Sequence, residues 1–531
     1  MRRVRWGGAA LPRSVAMGSL LGRLGDAATP APGWLIPGAG VPPDHDPVSG
    51  HDGPVAADPA PAGRQVVVVG GGIAGLAAAY AVRGQAPPGT AILLLDGAPV
   101  LGGKLRVSTV AGIPVDEGAE MLLARVPEGI ELAGAVGLAG ELVSPASTAA
   151  AVLVDGVARP LPAGTVLGVP ADLGALRAAG VLSAAGLAEV QAEQGRPPEP
   201  LDGDVAVGEY VARRLGREVV HRLVDPLLGG VYAGRSELLS LRATMPALAQ
   251  RLDAGAATGG ESLLAAARAV VAEAAGGAGP VFMALRAGLG ALPEAVARAA
   301  AADVRLGVPV RRVERTAAGF RVVAGPVPSP TVVSADAVVV AVPAAKAGPM
   351  LAGVAPAAAA ELAAIGYASV AIVTLAYPAA VAHRLVGSGL LVPATEGRAV
   401  KAVTYSSAKW AHLTDRDVTV LRASVGRHGE ERVLHRDDAD LVALVTAELT
   451  ELTGIDVPPV AARVTRWGGA LPQYAVGHLD RVRRIEADVG LVPGLAVCGA
   501  AYAGVGVPAC IRSGYAAASR VVAHLAETAV R

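Results

Sequence analysis

Cysteine is nearly missing from this chain: 531 residues contain two, Cys498 and Cys510, set twelve positions apart in an apolar stretch. A structural zinc site asks for about four ligands, and no CxxC pair or histidine cluster is there to complete one. The sequence therefore offers no metal site, and the two cysteines read as buried free thiols in a reducing compartment. Lysine is almost as scarce, with only Lys104, Lys346, Lys401 and Lys409. Aromatic residues make up 3%, so the 52% apolar content rests on Ala, Val and Leu. Acids and bases balance at 46 each with no basic run, which removes the electrostatic footprint of a nucleic-acid binder. The length exceeds one compact domain and suits two or three.

Long uncharged runs are also few. Leu362–Ala382 and Leu491–Ile511 could each span a bilayer by length. Gly494, Gly499, Gly504, Gly506, Pro493 and Pro508 break the second, and the first has a β-branched centre at Val370–Leu375, so both read as strand and loop. Peripheral contact with a membrane is left open, as is oligomeric state, and a cytoplasmic location is expected. Residues 1–63 lack periodicity and are dense in Pro, Gly, Ala and Asp from Ala27 onward. They read as a disordered leader, or as a start codon set too early, with Met17 the alternative. A secretory signal is not formed, because Arg13 and Arg23 interrupt its apolar stretch.

The folded region opens at Gln65. Val66–Val69 is a β-branched run fit for a strand buried on both faces of a parallel sheet. The turn Gly70-Gly71-Gly72-Ile73-Ala74-Gly75 follows, then an apolar helix from Leu76 to Val82, then a second buried strand, Ala91–Leu95, ending in Asp96. In such a unit Gly70 permits the tight turn, Gly72 admits a pyrophosphate, and Gly75 lets helix and strand pack. The helix N-terminus then faces the phosphates with its free N–H groups. Asp96 stands twenty-one residues after Gly75, where a carboxylate accepts ribose hydroxyls. Further strands are expected at Val304–Val313, Val338–Val342 and Val370–Tyr377, and helices over 206–224, 289–302 and 440–453. The predicted class is α/β, a doubly wound Rossmann-type dinucleotide-binding domain joined to a mixed-sheet domain with a helical insertion.

A second set of residues separates a flavin nucleotide from a nicotinamide one. Leu101-Gly102-Gly103-Lys104-Leu105-Arg106 and Val115-Asp116-Glu117-Gly118-Ala119-Glu120-Met121 follow the acid. Lys104 and Arg106 can neutralise phosphate, and Gly118 lets backbone lie on a flat ring; a loop with a solvated charge pair is the competing reading. Together with Gly70–Leu76 and Asp96, these motifs resemble the amine oxidase and protoporphyrinogen oxidase superfamily of flavoproteins. Cys498–Pro508 resembles that family's closing FAD loop. The runs Pro226-Leu227-Leu228-Gly229-Gly230-Val231-Tyr232-Ala233-Gly234 and Arg466-Trp467, with Pro472-Gln473-Tyr474 and His478, are similar to porphyrinogen oxidases of the HemY type. The likeness covers about residues 65–525.

The resemblance implies FAD as cofactor, with Gly70, Gly71, Gly72, Ile73, Ala74, Gly75 and Leu76 at the pyrophosphate and Asp96 and Gly97 at the ribose. It sets Lys104 near the phosphates and Gly118, Ala119, Glu120 and Met121 along the isoalloxazine. Val310 should meet the adenine, while Trp467, Val505, Gly506 and Val507 close over the ring. The FAD-binding domain is expected to be discontinuous (64–125, 281–345 and 480–531), with substrate and helical regions at 126–280 and 346–479. The reaction implied is oxidation of coproporphyrinogen III, with dioxygen reoxidising the flavin and releasing peroxide. Protoporphyrinogen IX is the close alternative, and an FAD amine oxidase or desaturase a more distant one. Hydride loss to a flavin needs no catalytic triad or carboxylate pair, so no catalytic acid or base is named. Arg125 matches a basic position thought to meet substrate propionate, a solvated arginine being the other reading, and Lys401 and Lys409 are weaker candidates. The histidines, scattered beside charges and turns, read as structural or surface groups.

Overall fold

Val66–Val69 carries no group that could face water, and in the computed structural model the strand Gln65–Val69 is buried along its whole length. Each such valine or leucine withdrawn from water contributes about 1.5–3 kcal/mol. The structure describes residues 5–6, 56–57, 63–256, 260–275, 279–414 and 416–529. Among these, Gln65–Val69 is the middle of a parallel sheet in the order Asp303–Arg305, Ala91–Leu95, Gln65–Val69, Ala337–Val340, Leu495–Val497. From Gln65–Val69 the chain leaves in one direction to Ala91–Leu95 and later returns on the other side as Ala337–Val340. Strand order therefore reverses at the carboxyl end of Gln65–Val69, where α/β sheets open a ligand crevice.

Both faces of this sheet are covered. On one lie the helices Ile73–Gln85, Ala291–Ala300 and Val507–Ala529, sharing an apolar core with Val66, Val68, Ile92 and Leu94. On the other, Val67, Val69, Leu93 and Leu95 meet a small antiparallel sheet and the helices Ala344–Leu351, Pro356–Ala363 and His478–Gly490. This is the doubly wound α/β arrangement expected from the sequence.

The mixed sheet runs Arg5–Trp6, Val157–Pro160, Ala150–Val154, Gly389–Leu391, Val400–Thr404, Val418–Val425, Tyr367–Pro378, Ala461–Pro472. Tyr367–Pro378 pairs antiparallel with a neighbour on each side, which accounts for its apolar length without a membrane. Helices of the 173–275 region cluster at one end of this sheet around Leu176, Tyr210, Leu223, Leu248 and Leu264. Among the described residues no helix is long and apolar enough to cross a membrane.

Two expected elements are corrected. Val304–Val313 is not one strand but two, Asp303–Arg305 and Val310–Thr316, in different sheets. Gly307, at φ +68°, and Pro309 turn the chain between them. The helix expected over 206–224 breaks after Val207–Leu215, where Gly216 takes φ +89° before Arg217 restarts it. Of residues 1–63, expected as a leader, only Arg5–Trp6, Ala56–Ala57 and Gly63 are described. The first pair extends the mixed sheet beside Val157–Ala158, and the second pairs with Thr331–Val332; the rest lies outside the described residues.

Candidate functional site

The glycine turn leaves Gln65–Val69 at the crevice. Gly70 holds φ +112° and donates its N–H to Leu95 O at 2.8 Å. A side chain there would meet Ala341 O at 2.6 Å. Gly75 sits against the Gly70 carbonyl, with no room for a Cβ. Gly72 differs: nothing lies within 4 Å of where its Cβ would stand. The helix Ile73–Gln85 begins without a side-chain cap and without an acid in its first turn. Its leading N–H groups thus remain available to an anion.

Asp96 is fixed by the turn it serves. Its Oδ2 accepts Gly71 N–H at 2.5 Å and its Oδ1 accepts Ala98 N–H at 2.7 Å. A carboxylate has about four acceptor positions, so two remain for a ligand. Replacing Asp96 with alanine leaves the Gly71 and Ala98 donors unanswered. That variant should hold a dinucleotide about tenfold to a hundredfold more weakly, read as cofactor lost on dialysis.

These groups open on one cavity of about 560 Å³, within the range of cofactor sites. Of the expected residues, Gly70, Gly72, Ile73, Ala74, Asp96, Lys104, Gly118, Ala119, Trp467, Val505, Gly506 and Val507 line it. Burial pushes the Lys104 ammonium pKa down, an effect that an anionic ligand beside it would reverse. Asp96 is the one acid on the wall, among the described residues.

The Asp116–Met121 segment enters the site under restraint from the mixed sheet. Trp467 donates its Nε1–H to Glu117 O at 2.8 Å, and Arg422 donates to Gly118 O at 2.7 Å. The Glu117 carboxylate pairs with Arg106 at 2.7 Å and with Arg463 at 2.5 Å. Glu120 points away from the cavity and pairs with Lys409 at 2.5 Å and with Arg422. Burial alone would raise its pKa, but these two cations outweigh burial and hold it at about 2. Asp116 lacks such partners at close range: burial, only partly offset by Arg422, lifts it to about 7, and it accepts Leu289 N–H at 2.8 Å.

The remaining expected residues stand off the cavity wall. Gly71 backs onto Asp96, Gly75 onto Gly70, and Gly97 onto Pro309, while Leu76 is fully buried in the core. Val310 follows Pro309 as a buried strand residue. Glu120 and Lys409 neutralise each other, so Lys409 is not a free cation for a substrate carboxylate. Met121 lines a second cavity of about 160 Å³ with Leu122, Leu123, Val126 and Phe282, and this cavity shares Val231 and Val505–Val507 with the first. Arg125 adjoins that wall but donates to Ala274 O at 2.8 Å. His478, grouped with the scattered histidines, is buried and stacked on Tyr474 at 3.9 Å, and burial drives its pKa down to about 3.

Several wall residues were not expected as site residues from the sequence: Ala341–Pro343, Gly230, Tyr367, Ile372, Ser424 and Cys510. Ala341–Pro343 follows the Ala337–Val340 strand into the crevice, so the end of a buried strand was a usable signal. Lys401, considered only as a weaker candidate, lies on the wall itself. Cys498 and Cys510 are both buried free thiols.

A family model described as flavin containing amine oxidoreductase matches residues 73–522. The coproporphyrinogen III oxidase of Mycobacterium tuberculosis strain H37Rv is 39% identical over 469 residues, which is 87% of this chain and 98% of that one. Its namesake from Bacillus subtilis strain 168 is 30% identical over 479 residues, with the same coverage. A crystal structure from Exiguobacterium sp. 255-15, described as a candidate protoporphyrinogen oxidase, superposes with a TM-score of 0.76 at 30% identity, covering 87% of this chain and 99% of that one.

Proposed function

We infer, from a chain that belongs to the flavin-containing amine oxidoreductase family, that its reaction is the oxidation of coproporphyrinogen III to coproporphyrin III. The protein is an FAD-dependent oxidoreductase. The observation that carries the substrate is the continuity of the cavity. The same wall that holds the glycine turn and Asp96 continues into Val231, Tyr367, Val370, Ile372 and Leu471. An apolar, carboxylate-bearing macrocycle suits that lining, and the relatives named for this substrate match over nearly their full length.

The residues fit FAD. The open space at Gly72, the uncapped helix start and the two spare acceptor positions on Asp96 take a pyrophosphate and a ribose. Lys104 offsets phosphate charge, while Gly118, Ala119, Trp467 and Val505–Val507 are proposed to flank the ring. When bound, FAD supplies the acceptor for the hydride taken from a CH2 bridge of the substrate. The chain's own contribution is position: Arg422 and Trp467 hold the Glu117–Gly118 carbonyls, and the apolar wall keeps water from the reacting carbon.

Dioxygen as final acceptor, with peroxide released, belongs to the same proposal. So does a cytoplasmic location, with which two buried unpaired cysteines, Cys498 and Cys510, are consistent. The chain divides on this reading into a flavin domain of 64–125, 281–345 and 480–531 and substrate and helical regions of 126–280 and 346–479. Anaerobic addition of coproporphyrinogen III to the flavin-loaded protein should bleach the flavin; an unchanged spectrum would overturn the reading. The Exiguobacterium neighbour keeps protoporphyrinogen IX as the second substrate, and faster turnover on it than on coproporphyrinogen would reverse the order.

A further inference from the structure

Lys401 is one of four lysines in the chain, and it is 7% exposed on the strand Val400–Thr404. It lines the large cavity beside Val231, Val370, Ile372 and Ser424. Its Nζ reaches Gly229 O at 3.4 Å, the long end of a hydrogen bond. No carboxylate among the described residues forms an ion pair with it. A buried ammonium without a counter-ion is unstable, so it must lose its proton or meet an anion from outside. Burial, and next to it the charge of Arg427, set its pKa at about 7.

The groups around Lys401 leave that anion's place open. On the turn after Val418–Val425, Arg427 is tied to Arg398 O and Val392 O and lies 3.7 Å from Glu430. His428 follows on the same turn. Arg422, on that strand, is bound to Glu120 and Gly118 O. Asp225, opening the helix that ends in Gly229–Tyr232, accepts Ser236 N–H at 3.0 Å. The cations here are held by backbone oxygens or by acids that do not line this cavity. Asp96, the one acid on the cavity wall among the described residues, belongs to the nucleotide cradle.

We propose that Lys401 is the counter-ion for one carboxylate of the substrate and so selects which edge of the ring enters the cavity. This rests on the porphyrinogen reading above. A carboxylate brought against the Lys401 ammonium forms a charge-assisted hydrogen bond in apolar surroundings, where such bonds are strongest. Because the bond needs the protonated amine, the ligand binds fully below about pH 7, and above it binding is coupled to uptake of one proton by the Lys401 amine.

The test is binding of coproporphyrin III, which carries the carboxylates but gives up no hydride, to the flavin-loaded protein between about pH 6 and 9. Affinity should fall about tenfold per pH unit above pH 7. Lys401→Met should bind about tenfold to a hundredfold more weakly at the acid end and lose the slope. Lys401→Arg should restore affinity and keep it flat, since guanidinium stays charged. Coproporphyrin tetramethyl ester should bind wild type and variants alike. The wild-type slope needs no variant, and a flat profile overturns the proposal, as does unchanged affinity in Lys401→Met. If coproporphyrinogen bleaches the flavin while coproporphyrin binding ignores Lys401, the counter-ion role falls and the substrate stands. If bleaching fails, the substrate itself falls. Normal binding with a collapsed turnover in Lys401→Met would instead assign the amine to proton removal and overturn the counter-ion role.

Discussion

An aspartate at position 72 should leave the protein folded and strip it of its flavin. Position 72 is the N-terminal cap of the helix Ile73–Gln85, held at φ −72° and ψ 169°, which any residue adopts. With nothing within 4 Å of the Cβ position, an added side chain meets no protein atom. Aspartate is among the best caps, so its carboxylate would take the N–H groups that no side chain now takes, stabilising the apoprotein by about 0.3 kcal/mol relative to glycine. The same carboxylate then occupies and repels the place of the pyrophosphate. Two like charges about 4 Å apart near a protein surface cost about 4 kcal/mol. Flavin affinity should therefore drop at least a hundredfold while the apoprotein melts slightly later. Gly72→Ala, neutral and smaller, should lose far less. A Gly72→Asp protein that purifies with full flavin absorbance would remove the pyrophosphate from this turn. Gly75→Ala should behave oppositely, since its Cβ meets the Gly70 carbonyl and the loss falls on folding.

The second large effect is expected at Glu120. Neutralising it as Glu120→Gln leaves Lys409 and Arg422 as two buried cations with no acid between them, their side chains 10% and 8% exposed. Breaking a buried pair in this way costs about 3–5 kcal/mol. The consequence should reach the cofactor, because Arg422 also donates to Gly118 O and Gly118 lines the cavity. Reduced flavin occupancy should therefore accompany the lower melting temperature. The same network predicts acid sensitivity. Glu120 has a folded pKa of about 2, below its ordinary value of 4.5. Its stabilisation is complete above about pH 4.5 and is lost as pH falls towards 2. Glu120→Gln should flatten that part of the acid unfolding curve. A variant that melts with wild type and keeps its flavin would show that the network bears no such load.

What the sequence made legible was what adjacent residues settle between themselves. Val66–Val69, Gly70–Gly75 and Asp96 form one short unit in which strand, turn, helix and acid follow at fixed offsets, and the hydrogen bond from Gly71 to Asp96 closes it. The parallel sheet followed from runs too apolar to face water on either side. Other parts depend on chain segments that meet only after folding. The wall at Val370 and Ile372 exists because Tyr367–Pro378 pairs with Ala461–Pro472 and Val418–Val425, and no local pattern names those partners. The resemblance sets Glu120 along the isoalloxazine with Gly118 and Ala119; those two line the cavity, while the Glu120 side chain pairs with two cations about three hundred residues away, partners that no local motif names. The split of Val304–Val313 turned on Gly307 and Pro309, breakers present in the sequence and outweighed there by the apolar run. Scarcity was the one clue to Lys401, a charge that an otherwise lysine-poor chain keeps inside.

The helix Val507–Ala529 packs on Ile73–Gln85 so tightly that a Cβ on Gly514 would strike the Ala74 carbonyl. Leu495–Val497, just before it, supplies the last strand of the parallel sheet. On a ribosome, the glycine turn and Asp96 emerge early and wait for both. At about 5–20 residues per second, some four hundred residues of synthesis separate them by roughly 20–80 seconds. During that interval the nascent cradle lacks Val505–Val507 and the helix that backs it. If Val505–Val507 flank the flavin as proposed, a chain cut short before Val507 should purify with little flavin absorbance, whatever the state of the glycine turn.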